Sequence, residues 1–139
     1  MPVYRESSQR KTIINHLSQR WDHPTAAAIY SGLRREHPHI SLGTVYRNLE
    51  ILEQQGRLRC LHLDPREARY EAHLEPHAHF YCRQCGRVED IPLLEKNCCR
   101  LPAHLQEAGY RIERSYIDLI GQCPACKGQD PESMAGGKA

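Results

Sequence analysis

The residues best equipped for chemistry lie in one short run, His77-Ala78-His79-Phe80-Tyr81-Cys82-Arg83-Gln84-Cys85. Read as a strand, the run alternates its side chains, so His77 and His79 project from the same face. Cys82 and Cys85 make a Cys-x-x-Cys pair, and a second pair, Cys123-Pro124-Ala125-Cys126, follows later. Four thiolates in two such pairs suit tetrahedral zinc and leave no position open, the pattern of a structural metal. The 37 residues between Cys85 and Cys123 exceed the span of a compact zinc ribbon. A helix and a strand must fold back to bring the pairs together, which couples metal binding to folding of the whole region. A thioredoxin-like redox role fits less well, because neither pair precedes a helix in a βαβ pattern.

The histidines need company to count as ligands, since a lone imidazole is usually a satisfied polar group. Here Glu71, Asp90 and His23 supply that company. Nitrogen and carboxylate donors suit Fe(II), Mn(II), Zn(II), Co(II) or Ni(II). A site drawing His23 from one half of the chain and His77 and His79 from the other couples metal occupancy to the angle between the halves. Two other classes compete. An open His/carboxylate site can activate water for an enzyme, but no general acid or substrate-pocket signature accompanies it. A metallochaperone or zinc buffer would need the metal sites and no DNA.

The elements that must position these residues follow from periodicity and punctuation. Ser7 or Ser8 can cap a helix running to about Arg20, with Ile13, Ile14 and Leu17 as its apolar stripe and Trp21 just beyond. His23-Pro24-Thr25 breaks the pattern, and Thr25 caps a second helix from Ala26 to about His37 with Ala26, Ile29 and Leu33 on one side. Ser41 caps a third, Leu42 to Gln55, with Val45, Leu49 and Leu52 facing the core and Gly56 as its stop. Arg57 to His62 and Arg69 to His73 read as short strands joined at Asp64-Pro65-Arg66-Glu67. Three helices followed by a hairpin make a winged helix-turn-helix, whose third helix enters the DNA major groove. That helix carries Thr44, Tyr46, Arg47 and Asn48 near its start, while Arg57, Arg59, Arg66 and Arg69 line the wing.

Leu74-Glu75-Pro76 reads as a hinge. Beyond it, His77 to Cys82 and Arg87 to Ile91 are strands, Pro92 to about Ala108 is a helix with Leu94, Cys98, Leu101 and Leu105 at helical spacing, and Arg111 to Ile120 is a loosely alternating strand. The fold class is therefore α+β: a winged-helix domain over residues 1–73, a hinge at 74–76, an α/β metal-binding and dimerisation domain over 77–128, and a Gly-rich, polar tail at 129–139 expected to be disordered. An exposed strand edge in the second domain can pair across a dimer.

Composition sets bounds on this picture. In 139 residues two domains of such size have thin cores, which a structural metal would help. Net charge is +2, with +3 in residues 1–73 and −1 in the rest, mild support for nucleic-acid contact by the first half. The start has no apolar signal-peptide core and no run approaches a membrane span, so a cytoplasmic location with reduced thiols is expected. Of seven cysteines, Cys60, Cys98 and Cys99 fall outside the paired motifs.

His23-Pro24-Thr25-Ala26-Ala27-Ala28-Ile29-Tyr30, Ser41 through Leu49, Arg69-Tyr70-Glu71, and His77-x-His79-x-x-Cys82-x-x-Cys85-Gly86-x-Val88-x-Asp90 together resemble the ferric uptake regulator family over roughly residues 5–126. The resemblance implies a homodimeric, metal-activated transcriptional repressor that binds a palindromic operator. It implies structural zinc at Cys82, Cys85, Cys123 and Cys126, and regulatory Fe(II) or Mn(II) at His23, Glu71, His77, His79 and Asp90. DNA contact is expected of Ser41, Thr44, Tyr46, Arg47, Asn48 and Arg57, and the resemblance puts Tyr46 at the family's base-contacting position with Arg47 beside it. Within the family, Asp90 resembles the peroxide-sensing branch and Glu71 the iron sensors. Pro76, Ala78, Arg114 and Ser115 stand where iron sensors often keep ligands for an additional site, and losing that site also resembles the peroxide branch. The resemblance thus implies hydrogen-peroxide sensing by Fe(II)-catalysed oxidation of His23 or His77, with reversible metal sensing as the alternative.

Overall fold

The structure, a computed structural model, describes residues 7–92, 103–113 and 115–128. These fall into two compact units, one ending at Glu75 and the other beginning at Pro76.

The first unit is three helices and a hairpin. α1 spans Ser8–Ser18, α2 Ala26–Leu33 and α3 Leu42–Gln54. Each starts where a hydroxyl accepts an otherwise orphaned amide: Ser7 from Arg10 N–H, Thr25 from Ala28 N–H and Ser41 from Thr44 N–H. α3 ends in a Schellman motif, in which Gly56 (φ +70) donates to the Glu53 carbonyl and Arg57 donates to that of Leu52. α2 stops at Leu33, short of the expected His37, and its chain leaves in a turn over residues 34–36. Gly32 in the last turn weakens the helix there and Pro38 follows closely.

Ile13, Leu17, Ala26, Ile29, Leu33, Val45, Leu49 and Leu52 interlock as the core, closed below by Leu58 and Tyr70 from the hairpin. That hairpin pairs β1 (Arg59–Leu61) with β2 (Arg69–Glu71), in a register that opposes Arg59 to Glu71 and Cys60 to Tyr70. Both strands are shorter than their alternation suggested. Trp21 lies outside the core, exposed and stacked on His73 with ring centroids 3.5 Å apart.

The second unit is built on a three-stranded sheet in the order β4-β3-β5. β3 (His77–Cys82) is central, β4 (Val88–Pro92) runs antiparallel to it and β5 (Asp118–Gly121) parallel. Of the long helix expected from Pro92, the described part is α4, Ala103–Glu107, ended by Gly109 (φ +86). Pro92 itself completes β4. Cys98 and the rest of 93–102 lie outside the described residues, as do Cys99, Arg114 and the tail over 129–139. The strand expected over Arg111–Ile120 reduces to Asp118–Gly121, because the stretch before it alternates too loosely to hold a ladder. Tyr116, Leu119 and Ile120 are exposed there.

Candidate metal centres

The thiols come together through one register. β3 and β5 pair in parallel with Cys82 beside Gly121, so Cys123 follows two residues past the point where β3 ends. Tight turns then place the second member of each pair. Gly86 (φ +76) donates to the Cys82 carbonyl, and the amides of Cys126 and Lys127 both donate to the Cys123 carbonyl. The four sulfurs all lie within 4.8 Å of one another. Cys85 Sγ and Cys123 Sγ are 3.8 Å apart, close to the edge of about 3.8 Å that a tetrahedron of zinc–sulfur bonds near 2.3 Å requires. Cys82 and Cys123 are fully buried and Cys85 is exposed. Backbone amides, first that of Cys85 and then that of Cys123 (3.3 Å to Sγ), lower the Cys82 thiol to about 6. Cys126 moves the other way, to about 12, chiefly because its hydrogen bond to Cys123 favours the thiol, with burial adding to the effect. Four sulfurs this close would repel one another as thiolates, and a divalent cation would offset that repulsion. The donor set and its spacing fit zinc.

A second cluster lies on the same sheet. His77 and His79 share a face of β3, and the antiparallel register sets Asp90 of β4 opposite His79. The Nε2 atoms of the two histidines are 2.9 Å apart, and Asp90 Oδ1 lies 3.2 Å from His77 Nε2 and 3.4 Å from His79 Nε2. Two imidazoles and a carboxylate are the donor types of the triad that non-haem Fe(II) sites use. His79 is buried and His77 and Asp90 are partly so.

In the first unit, His23 and Glu71 form a buried pair with Nε2 and Oε2 3.4 Å apart. His23 is the one non-glycine residue with positive φ (+51) among the described residues, a conformation that costs energy and must be held by its surroundings. β2 holds it twice: Tyr70 N–H donates to the Pro24 carbonyl at 2.9 Å, and Arg69 Nη1 donates to the His23 carbonyl at 3.3 Å. Arg69 is itself anchored on Asp64, whose carboxylate also takes the backbone amide and side chain of Arg66.

The helix-turn-helix residues separate into two groups. Ser41, Tyr46 and Arg47 are exposed on the first turns of α3, with Thr44 half-buried beside Ser41, their hydroxyls 2.8 Å apart; Arg57 is half-buried. Asn48 departs from the surface role expected of it. It is 5% exposed, accepts from the Arg10 guanidinium at 3.2 Å and donates to the Thr44 carbonyl at 3.0 Å, so it ties α1 to α3 instead. The wing also needs correction. Arg66 is exposed, but Arg59 turns inward onto Glu71 and Arg69 onto Asp64 and His23. Sequence reasoning missed these inward roles, and the signal available was pairing across the hairpin, where 59 and 71 are opposed. Cys60 is half-buried on β1 with Sγ 3.6 Å from His62 Nε2, and burial pushes its thiol up.

Three helices with a β-hairpin wing, joined to a sheet carrying a thiol cluster and an imidazole–carboxylate cluster, define a winged-helix metalloregulator. The family model described as "Ferric uptake regulator family" matches residues 3–117, and the chain belongs to that family, whose members are metal-dependent DNA-binding repressors. It is 29% identical over 124 residues to the peroxide-responsive repressor of Staphylococcus aureus, covering 88% of this chain and 82% of that one. Among solved structures, the Campylobacter jejuni peroxide stress regulator superposes with a TM-score of 0.73 at 28% identity, over 85% of this chain and 88% of that one. The Helicobacter pylori ferric uptake regulator gives the same TM-score at 23% identity, over 88% and 82%, and shares the fold.

Proposed function

We propose that this chain is a dimeric repressor that holds structural zinc at Cys82, Cys85, Cys123 and Cys126 and binds a regulatory Fe(II) or Mn(II) through His77, His79 and Asp90 of the second unit with His23 and Glu71 of the first. Residues 74–76 act as the hinge between a DNA-binding first unit and a dimerising second unit. Ser41, Thr44, Tyr46, Arg47 and Arg57 form the DNA-facing set. The observation that carries the reading is the convergence of the His77, His79 and Asp90 donor atoms within 3.4 Å, a donor set suited to a divalent transition metal.

The regulatory signal in this proposal is hydrogen peroxide. Asp90, the departures at Pro76 and Ala78, and the likeness to peroxide-responsive regulators support it. When bound, Fe(II) supplies the redox chemistry that splits the peroxide O–O bond. One peroxide oxygen goes to C2 of the His23 or His77 ring and the other leaves as water. The imidazole, oxidised by two electrons to 2-oxo-histidine, no longer presents the same nitrogen lone pair. The four remaining ligands then hold metal less tightly, the two units lose their shared tether and the operator is released. Glu71 favours a second reading, a reversible metal sensor with no peroxide chemistry.

The test loads the protein anaerobically with Fe(II) or Mn(II), adds low hydrogen peroxide, and follows operator binding and intact mass. Loss of binding with a one-oxygen gain on the His23 or His77 peptide, in the Fe(II) form only, is the expected result. Unchanged mass and binding in both forms would establish the reversible sensor.

A further inference from the structure

Glu71 is not presented symmetrically. In the hairpin register Arg59 is its direct cross-strand partner, and Arg59 Nε, at 2.7 Å, and Nη2 donate to the same oxygen, Oε1. Oε2 is turned to His23 Nε2, 3.4 Å away. The carboxylate is 2% exposed and the Arg59 side chain 15%. A charge-assisted pair this buried is well ordered, and removing one member leaves an uncompensated charge.

We infer that Arg59 is a positioning residue that restricts Glu71 to one ligating oxygen, Oε2. The inference rests on the proposed regulatory metal and is independent of whether peroxide is the signal. A carboxylate offers a cation one oxygen or two, and flexible sites take two; here Oε1 is occupied by a guanidinium that lies on the same hairpin and moves with it. Asp90 likewise turns Oδ1 toward both histidines. The five proposed ligands would then supply one donor atom each, and the guanidinium would keep the second oxygen of Glu71 out.

The test uses full-length, zinc-loaded protein and Mn(II) alone as the probe, with bound and free Mn(II) resolved by electron paramagnetic resonance. Arg59→Met should weaken Mn(II) binding by about 10- to 100-fold, the usual cost of losing a partner that orients a ligand, and alter the spectrum of the bound ion. Arg59→Lys, which keeps a cationic donor for Oε1 and protects against simple misfolding, should bind close to wild type. In a Glu71→Gln background the Arg59→Met change should add nothing further, because its route through the carboxylate is gone. Fully additive losses or an unchanged spectrum of the bound ion in Arg59→Met would each overturn the assignment. If Mn(II) binding ignores both His79→Ala and Glu71→Gln, the regulatory-site reading falls together with this one. If binding follows the scheme while peroxide leaves DNA binding intact, only the peroxide reading falls.

Discussion

The two candidate metal centres differ less in chemistry than in who supplies the ligands. The thiols all belong to the second unit, two from the end of β3 and its turn and two from the turn after β5. The proposed regulatory set takes His77, His79 and Asp90 from one strand pair of that unit and His23 and Glu71 from a loop and hairpin of the other. A closed set carried by one unit is part of that unit's fold and releases its ion only on unfolding. A divided set is complete only when both units contribute, so occupancy and domain arrangement are thermodynamically linked. Under that proposal, the division of ligands between the units would set a sensed ion apart from a retained one.

Breaking the closed set should have the largest effect. Cys82→Ser or Cys123→Ser should leave the protein without stoichiometric zinc, and circular dichroism should show loss of the second unit's sheet structure, since Cys82, Cys123 and Cys126, with Phe80 packed against them, form a buried cluster at the end of that sheet. A variant that keeps its sheet and its zinc would remove the distinction between the two centres. Breaking the divided set should spare the fold. His79→Ala should retain zinc and secondary structure yet lose Mn(II)-dependent operator binding by more than the ~10- to 100-fold typical of an outer partner. Matched thermal melts and salt-controlled binding curves separate the two kinds of damage.

Sequence read the two units unequally, for physical reasons. The caps Ser7, Thr25 and Ser41 and the stripe Val45, Leu49, Leu52 were legible because capping and 3.6-residue periodicity are local. β3 was likewise legible from alternation, and the thiol pairs from spacing. The inward turn of Arg59, the Asp64–Arg69–His23 chain and the Arg10–Asn48 bond were not, because each depends on register or packing between residues 5 to 46 positions apart. A polar residue on a recognition helix reads as a surface residue unless its partner on another helix is known. Asn48 is the case in point.

The DNA-facing helix offers a milder contrast. Tyr46→Ala removes an exposed side chain and should reduce operator preference with little change in stability. Asn48→Ala should do the reverse, costing about 1–3 kcal/mol by leaving the buried Arg10 guanidinium without its acceptor. Arg47→Ala, if the side chain meets a phosphate, should lower the salt slope of DNA binding by about 1. Urea unfolding beside salt-dependent binding distinguishes the three.

The smallest effect concerns the turn that anchors β2 to His23. The Asp64 carboxylate is held at about 2, against 3.8 ordinarily, first by the Arg66 side chain and then by the Arg66 amide, with Arg69 adding to these. A carboxyl that is more acidic in the folded state stabilises that state while ionised. Its contribution is full above the ordinary value and disappears as pH falls from about 4 toward 2. Wild type should thus exceed Asp64→Asn in urea-unfolding stability at pH 5 and converge on it through that window. Because Arg69 spans Asp64 and the His23 carbonyl, Asp64→Asn at neutral pH should also loosen His23 and weaken Mn(II) binding slightly, while leaving the zinc content untouched. Equal loss at both centres would mean that the two are not separable after all.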